Sequence, residues 1–370
     1  MSVIIKDYPS ASQPGKYDKL SKQFVMTSPN GLEASILTYG ALISNLMIPD
    51  SKGKIADVVL GLKGLDEYMA SGANHGSIVG RSANRISGAS FEINGNKYQI
   101  PANDGPNNLH SGKPAYQNVF WDGKVISRAE ANKMVEGSGI KGIDDVIDDA
   151  VLLSYTSPDG ACGFPGNLDT QVLYAWTEDD TLLILYRGLS DKDTIFAPTN
   201  HAYFNLAGHN SGSVADHLLM IDADQVTLKD EFNCPDGRYM DVEGTIFDFR
   251  NADKVAKVLT REHPQTDAAM GIDQNYCLNI EPGRFSFIAS LVEPKSGRAM
   301  EVLTDLPGMQ IYAGNHLGGN DQKGDIPYKP YDAICLEAQM YPNAINIPEF
   351  DSPVIKAGVA SYHACGYRFV

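Results

Sequence analysis

Short apolar runs separated by turn residues recur along the whole chain. The turn signals include SPNG at Ser28–Gly31, SKGK at Ser51–Lys54 and SPDG at Ser157–Gly160. Frequent turns between short apolar runs are typical of antiparallel β structure. Phe91–Ile100 is the clearest case, because its central Asn94-Gly95 pair suits a two-residue hairpin turn. The pattern predicts an all-β chain.

Two longer apolar segments predict neighbouring strands. The first runs from Val172 to Trp176 and the second from Leu182 to Tyr186, with the polar turn Thr177–Thr181 between them. Helical periodicity is nearly absent, and the best candidate, Arg128–Glu136, is short. No GxGxxG or GxxxxGK[ST] motif is present, so the sequence does not favour a dinucleotide-binding or P-loop fold.

Four segments place polar residues at alternate positions of otherwise apolar runs. Successive side chains of a strand point to opposite faces, so each segment would turn its polar set to one face and its apolar set to a core. The polar sets are Cys335, Glu337 and Gln339; His201, Tyr203 and Asn205; Asp273 and Asn275; and Gln310 and Tyr312. The segments therefore predict the lining of a hydrogen-bonding cleft. Alternation alone leaves open whether the ionisable groups are catalytic, structural or solvated.

Composition narrows the class of protein. The chain has 370 residues, of which 43% are hydrophobic and 21% are charged, which is the range of a globular protein with a sizeable core. This length allows one large β domain or two smaller domains. A formal net charge of -16 without any Lys/Arg run argues against a nucleic-acid partner.

The N-terminal residues and the cysteines predict a cytoplasmic protein. The first twenty residues lack a basic head followed by an apolar run, and no stretch approaches the ~18 apolar residues of a membrane span. We therefore expect no membrane association. The five cysteines are scattered and never form a CxxC pair, which indicates reduced thiols rather than disulfides or a zinc site.

Eight motifs, in order along the chain, resemble those of the aldose 1-epimerase family and span most of it, from about Phe24 to Phe369. They are GRSANRI (Gly80–Ile86), NNLHSG (Asn107–Gly112), SPDG with GFPG (Ser157–Gly166), TNHAYFNLAG (Thr199–Gly208), VEGTIFDFR (Val242–Arg250), GIDQNYCL (Gly271–Leu278), PGMQIYAGN (Pro307–Asn315) and CLEAQMYPNAIN (Cys335–Asn346). The resemblance implies one galactose mutarotase-like β-sandwich domain over residues 1–370, with an open sugar-binding cleft. It implies no metal or other cofactor.

The resemblance also implies roles for individual residues. Glu337 matches the family's catalytic base and His201 its catalytic acid. The matched sugar-binding positions are Asn84, Arg85, His110, Asp273 and Gln310. We expect Arg81 to stabilise its loop rather than to contact sugar, and the histidines outside these motif positions to be structural or solvated.

The expected activity is interconversion of the α and β anomers of a free aldose such as galactose or glucose. Base and acid would open and close the ring by moving protons at O1 and O5. The alternatives are an epimerase of the same family for maltose or another sugar, a glycoside hydrolase that uses Asp273 and Glu337, and a non-catalytic carbohydrate-binding protein. We expect a small-molecule sugar as partner and a monomer or homodimer.

Three departures from the family pattern bear on substrate choice. Ser111 stands in NNLHSG where the family usually has glycine, close to His110. The segment of about residues 127–149 is a divergent insertion, which is predicted to cover the cleft, to contact another subunit or to be a surface loop. Asn233–Met240 also diverges from the family pattern.

Overall fold

The computed structural model describes residues 3–10, 12–17, 19–319 and 321–370. Strands predominate among them, and the α-helices are short: Leu65–Ala70, Arg128–Ser138 and Pro264–Asp267. Short 3-10 turns lie at Ser87–Ala89, Tyr116–Asn118, Ala161–Gly163, Val255–Val258 and Ala344–Asn346. The prediction of an all-β chain is confirmed. No helix of the described residues is long and apolar enough to cross a membrane.

The largest sheet has nine strands and is open at both edges. In spatial order its strands are Asp122–Ile126, Ala150–Ser157, Leu168–Trp176, Thr181–Ser190, Ser361–Phe369, Ala299–Thr304, Ser286–Val292, Leu218–Ile221 and Asp253–Lys254. Neighbouring strands pair antiparallel throughout. The predicted pair of neighbouring strands is confirmed, since Val172 lies opposite Tyr186 and Trp176 opposite Leu182.

A second sheet, the cleft sheet, has five antiparallel strands. Their spatial order is Pro235–Asp241, Ala223–Lys229, Asp273–Leu278, Gly308–Tyr312 and Cys335–Gln339. A third, N-terminal sheet runs in sequence order through Ile4–Asp7, Lys22–Thr27, Glu33–Leu37, Ile43–Pro49 and Ile55–Asp57. The sheets do not close into barrels.

Within the described part of the chain, five two-stranded ribbons lie outside these sheets. They pair Ile78–Val79 with Thr199–Asn200, Arg85–Ile86 with Asn108–Leu109, Ser90–Ile93 with Asn96–Gln99, Thr194–Ile195 with Val354–Ile355, and Gln322–Lys323 with Ile326–Pro327. The predicted hairpin is confirmed: Ile93 pairs with Asn96, and Asn94 and Gly95 both adopt positive φ angles of 54° and 77°. Positive φ at both central residues is the requirement of a type I′ turn.

The main hydrophobic core is shared by the nine-stranded sheet, the cleft sheet and the N-terminal sheet, which contributes Phe24, Ile36 and Leu46. The nine-stranded sheet contributes Tyr174 and Ile184, and the cleft sheet contributes Met309, Ile311 and Leu336. These residues hold alternate positions of their strands, so one face of each sheet is apolar. The opposite face of the cleft sheet is thereby free to carry polar side chains.

The insertion of about residues 127–149 covers the outer face of the nine-stranded sheet. Its helix begins with a capping box between Ser127 and Glu130 and ends before Gly139, whose φ of 71° suits a left-handed cap. Ala131 packs in a second apolar cluster with Leu173 and Leu185, which face away from the main core. This packing explains why Val172–Trp176 is apolar at consecutive positions.

Arg81 is buried inside the loop that leads to Asn84 and Arg85, with 2% of its surface exposed. Its guanidinium donates to the carbonyls of Ser157, Pro158, Pro165 and Gly166 and to the hydroxyls of Ser157 and Thr194. No described atom of Arg81 lines the sugar-sized cleft described below. The structural role expected for Arg81 is confirmed.

Arg81→Ala is expected to destabilise the fold, because it leaves several buried carbonyl groups without a donor. Each unsatisfied buried group costs about 1–3 kcal/mol, so we expect a loss of roughly 3 kcal/mol or more in the free energy of unfolding. Urea unfolding followed by tryptophan fluorescence measures this loss. Arg238→Ala, which removes a side chain that is 69% exposed, is the control and should change little. Equal stability of the two variants would contradict a structural role for Arg81.

Candidate active site

The cleft sheet presents two rows of polar side chains on its face away from the core. In the first row Glu337 lies opposite Gln310, which lies opposite Asn275. In the second row Cys335 lies opposite Tyr312, which lies opposite Asp273. Directly opposed residues of antiparallel strands point to the same face, so the register itself gathers these groups. The predicted alternation in these three strands is confirmed.

The segment after Asn200 carries His201 along the edge of the cleft sheet. Thr199 Oγ1 donates to the Ala338 carbonyl, and Phe204 exchanges two backbone hydrogen bonds with Ile334. The prediction of a fourth strand is wrong, because only Thr199–Asn200 is a strand and the rest is extended chain with isolated bridges at Phe204. Alternation persists nonetheless, since Ala202 and Phe204 join the core.

Asn205 does not reach the cleft, contrary to the prediction. Its Nδ2 donates to the carbonyls of Gly212 and Asp332, and its Oδ1 accepts from the amide of Ala207. The chain turns at this point, so the two-residue alternation no longer fixes the direction of the side chain. Asn205 is a structural residue that holds the following turn.

An open cleft of about 430 Å³ lies over the polar face of the cleft sheet. All seven residues predicted for the site line it: Asn84, Arg85, His110, His201, Asp273, Gln310 and Glu337. The remaining lining residues are Gly72, Ala73, Asn74, Leu109, Tyr203, Asn233, Tyr312, His316, Leu317 and Asp321. The structure thus brings together residues that are as much as 253 positions apart, from Asn84 to Glu337.

Glu337 and His201 face each other in the floor of the cleft. The Oε1 atom of Glu337 lies 3.7 Å from Nε2 of His201, and the two residues are only 3% and 5% exposed. The backbone of His201 is fixed on both sides, because its amide donates to the Ser77 carbonyl and its carbonyl accepts from the Gly76 amide. An acid and a base are therefore held within reach of one small ligand.

Burial shifts the pKa values of these two groups in opposite directions. Desolvation raises the pKa of Glu337 well above its usual range, and the negative charge of Asp273 adds to this effect. Desolvation also lowers the pKa of His201 to about 4, with a further contribution from His75. Burial therefore favours the uncharged form of each group, the protonated carboxyl of Glu337 and the neutral imidazole of His201.

Asp273 is the centre of a charged and hydrogen-bonded network beside this pair. Its Oδ1 accepts from Gln310 Nε2 at 2.6 Å, and its Oδ2 lies 3.4 Å from Nη1 of Arg85. Arg85 also donates from Nε to Asp104 at 2.7 Å. Burial opposes ionisation of Asp273, but Arg85 and Lys229 outweigh it and keep the pKa of Asp273 below its usual value. Asp273 is therefore a carboxylate that can accept hydrogen bonds from a ligand.

Two loops with left-handed backbone place Asn84 and His110 at the cleft wall. Asn84 and His110 have φ angles of 56° and 52°. The amide of His110 donates to the Asn84 carbonyl, and the amide of Asn84 donates to Nδ1 of the His110 side chain. Because Nδ1 accepts, the hydrogen of the neutral ring is on Nε2. Burial, with His201 and Arg85 nearby, holds the pKa of His110 well below its usual value. His110 is a neutral hydrogen-bond donor.

Ser111 occupies a backbone position that favours glycine, with a φ of 65°. Its hydroxyl compensates for the strain, because Oγ accepts from the Ser82 amide and donates to the Ser82 carbonyl. The departure from the family pattern therefore adds a link between the loops that carry His110 and Asn84.

The sequence predictions found part of the cleft wall and missed other residues of it. Alternation placed Tyr203 and Tyr312 on the polar face, and both line the cleft. His316 lines the cleft, although it was expected to be structural or solvated. Asn233, from the divergent segment Asn233–Met240, also lines it, and its buried Oδ1 has no hydrogen-bond partner among the described residues. Its position in that segment is the only signal for it in the sequence.

No residue of the insertion of about residues 127–149 lines the cleft. The proposal that this segment covers the cleft is therefore wrong for the structure described, since it packs on the outer face of the nine-stranded sheet. Its proposed contact with another subunit stays a prediction.

His201, Cys335 and Glu337 are a group of potential metal ligands, with one donor atom of each within 4.8 Å of the others. A sulfur, a nitrogen and an oxygen would suit zinc. However, the Cys335 sulfur lies against Nδ1 of His201, whereas the Glu337 carboxyl lies against Nε2. One ion cannot use both nitrogens of one ring, so this geometry does not fit a three-ligand metal site. The five cysteines are free thiols.

Comparison with known proteins identifies the relatives of the chain. The family model "Aldose 1-epimerase" matches residues 22–368. Galactose mutarotase of Sus scrofa is 34% identical over 367 residues, covering 99% of this chain and 97% of the relative. Aldose 1-epimerase of Escherichia coli K12 is 31% identical over 342 residues, covering 92% of each chain.

Solved structures share the fold over its whole length. An aldose epimerase homologue from C. elegans has a TM-score of 0.81 at 27% identity and covers 95% of this chain and 99% of its own. Galactose 1-epimerase from Lactobacillus acidophilus has a TM-score of 0.80 at 25% identity, with 100% and 99% covered. The fold is thus a galactose mutarotase-like β-sandwich, and the chain belongs to the aldose 1-epimerase family.

Proposed function

We propose that this protein interconverts the α and β anomers of free aldoses such as galactose or glucose, with Glu337 as base and His201 as acid. The observation that carries these roles is the buried pair itself, with Glu337 Oε1 3.7 Å from His201 Nε2 at the floor of an open polar cleft. Membership of the aldose 1-epimerase family supports the reaction class. The preference for galactose or glucose among the aldoses is also proposed.

The reaction moves one proton at each of two oxygens. Glu337, as carboxylate, takes the proton of the anomeric hydroxyl O1 while His201, as imidazolium, gives a proton to the ring oxygen O5. The C1–O5 bond breaks as the C1–O1 bond becomes a carbonyl. Rotation about C1–C2 turns the other face of the aldehyde to O5, and the ring closes with both proton transfers reversed.

The number of protons on the pair fits both halves of this cycle. The cyclic sugar requires Glu337 ionised with His201 protonated, and the open-chain sugar requires Glu337 protonated with His201 neutral. Both forms carry one proton, and burial, which raises the pKa of Glu337 and lowers the pKa of His201, favours the second form. When O1 and O5 of the sugar lie between the two groups, the proton only has to move from one group of the pair to the other. No net exchange with solvent is required during a turnover.

The surrounding residues hold the sugar so that C1 and O5 stay within reach of the pair. Asp273 offers carboxylate lone pairs, and Arg85, with Asn84, Gln310 and neutral His110, offers donors to sugar hydroxyls. Such positioning lowers the entropic part of the barrier without proton transfer. Asn233 adds an acceptor without a protein partner at the cleft wall.

The protein would act on its sugar in the cytoplasm, as a monomer or homodimer. Support for this compartment comes from the five free thiols, which suit a reducing environment. Static light scattering determines the mass in solution, and fractionation of the source cells determines the compartment.

Glu337→Gln and His201→Asn are expected to lose most of the catalytic rate while they still fold and bind sugar. Each removes one proton-transfer group, which contributes about 10²- to 10⁴-fold. This loss corresponds to roughly 3–5 kcal/mol of barrier. Polarimetry of freshly dissolved pure anomers, corrected for the uncatalysed reaction, measures kcat for galactose, glucose and maltose. Analysis of the products of a glycoside in the same experiment reveals any hydrolysis.

The matched controls make the same chemical changes in the nine-stranded sheet. Glu301→Gln and His363→Asn alter residues that do not line the cleft and should keep normal mutarotation. Near-normal rates in correctly folded Glu337→Gln protein would show that the base is elsewhere. Glycoside cleavage without anomer exchange would instead assign the cleft to hydrolysis.

Arg85→Ala is expected to raise KM more than it lowers kcat, because the proposed task of Arg85 is to hold the sugar and Asp273. Loss of a hydrogen bond from a charged group costs about 1.5–3 kcal/mol, which corresponds to roughly a 10- to 150-fold increase in KM. Initial-rate polarimetry over a range of sugar concentrations separates the two constants. Arg187→Ala, on the nine-stranded sheet, is the control. A fall in kcat alone would exclude the holding role.

The dependence of kcat/KM on pH should have an acid limb well below the ordinary pKa of histidine. The active pair holds one proton, and a second proton binds only as the pH falls towards the His201 pKa of about 4. Both groups are then protonated, the base is absent, and activity is lost. Activity also falls at alkaline pH, where Glu337 loses its proton and no acid remains. A profile measured by polarimetry with an acid limb near pH 6.5 would contradict this model.

A further inference from the structure

The side of His201 that faces away from Glu337 lies against a buried thiol. The Sγ atom of Cys335 is 3.6 Å from Nδ1 of His201, within the range of a hydrogen bond to sulfur. Cys335 is completely buried, with 0% of its surface exposed. The two nitrogens of the ring thus face two different residues of one strand: Nε2 faces Glu337, and Nδ1 faces Cys335.

Strand geometry makes this arrangement specific. Cys335 and Glu337 are two positions apart on Cys335–Gln339, so both side chains point to the same face and straddle the imidazole. Tyr312 lies opposite Cys335 across the ladder and closes that side of the pocket. The position of the ring between the two side chains is therefore set by the same register that builds the cleft.

The other groups around His201 leave Nδ1 to the thiol. The titratable or charged residues that face the ring from the elements packed against it are Glu337, Cys335, His110, His75, Tyr203, Tyr312 and Asp273. Tyr203 donates its hydroxyl to the Ala73 carbonyl, and Tyr312 accepts from the amide of His316. Among the side chains of the described residues, Cys335 is the one hydrogen-bonded to His201 Nδ1, and the ring also has a hydrogen bond with the backbone of His201 itself.

A thiol can serve both protonation states of the imidazole. Burial raises the pKa of Cys335 well above its usual value, so the group is an uncharged S–H. Its hydrogen rotates freely about the Cβ–Sγ bond. When the ring is neutral, Nδ1–H donates to the sulfur, and the lone pair of Nε2 is available to take back the proton of O5. When the ring is an imidazolium, Nδ1–H donates to the sulfur lone pairs.

We propose that Cys335 is a positioning residue that accepts a hydrogen bond from Nδ1–H of His201 in both its neutral and its imidazolium form, so that Nε2, which faces the cleft, gives the proton to O5 and takes it back, without adding charge. This proposal rests on the acid role proposed for His201. A carboxylate against Nδ1 would instead favour the imidazolium and retain the proton. A reaction that protonates O5 and then removes the same proton requires a partner that favours neither state strongly.

The first test compares three variants at position 335 by polarimetry. Cys335→Ala and Cys335→Val remove the donor and acceptor, whereas Cys335→Ser keeps both. One uncharged hydrogen bond contributes about 0.5–1.5 kcal/mol, so Ala and Val are expected to lower kcat roughly 2- to 13-fold with little change in KM. Ser should retain most of the rate. Cys365→Ala is the matched control, because it removes a buried thiol from the nine-stranded sheet.

The second test observes the tautomer of His201 directly. The ¹⁵N shifts of histidine-labelled protein at neutral pH, with the His201 signals assigned by their absence from His201→Asn, should show the hydrogen on Nδ1 in the wild type and in Cys335→Ser. Cys335→Ala or Cys335→Val should show a mixture of both tautomers. A simple packing role for the thiol would not produce this change.

The outcomes separate this proposal from the proposed function. Unchanged kcat and an unchanged tautomer in Cys335→Ala or Cys335→Val, or equal losses in Cys335→Ser and Cys335→Ala, would overturn the positioning role. Cys335→Val provides the comparison if Cys335→Ala does not fold. Full activity of Glu337→Gln or His201→Asn would overturn the proposed function instead, whatever the result at position 335.

Discussion

Exclusion of water from Glu337 and His201 is the condition on which the site depends. Desolvation disfavours the charged form of both groups, so it raises the pKa of Glu337 and lowers the pKa of His201. In water near neutral pH the glutamate would be ionised, because the ordinary pKa of a glutamate side chain is about 4.3. The sandwich provides this condition because the strand that carries Glu337 is anchored through Leu336 and Ala338 in the main core. A rigid, apolar floor therefore supports a polar, reactive surface.

Such burial would be costly without partners, and the cleft sheet supplies them in register. Gln310 donates to Asp273 and accepts from Gln339, which also donates to Asn275. Nδ2 of Asn275 and Oε1 of Gln339 have no hydrogen-bond partner among the described residues, so the network is satisfied only in part. Arg85 and Lys229 offset the charge of Asp273 beside Glu337, whose pKa burial raises. The cleft thus contains one carboxyl group with a lowered pKa, Asp273, and one with a raised pKa, Glu337.

Much of the site was predictable because strand alternation has a period of two and continues through the cleft sheet. Glu337, Gln310 and Asp273 share a face for that reason, and so does His201, although its segment is not a strand. Asn205 fell outside the prediction because the chain turns there and the period no longer applies. Asn233 and His316 could not be predicted, since loop backbones such as Asn233, with a φ of 58°, have no sequence period. The outward packing of the insertion likewise depends on a sheet face that only the tertiary structure defines.

The two nitrogens of His201 contact two residues of the same strand, Cys335 and Glu337. A histidine that only donates a proton, or only accepts one, is well served by a charged partner that fixes one protonation state. The proposed epimerase reaction uses both states in each turnover, since opening protonates O5 and closure removes that proton again. An uncharged thiol on Nδ1 adds no charge that would favour the imidazolium, while burial favours the neutral ring and lowers the pKa of His201 to about 4. The same alternation that places the base beside the sugar thereby also places an uncharged partner behind the acid.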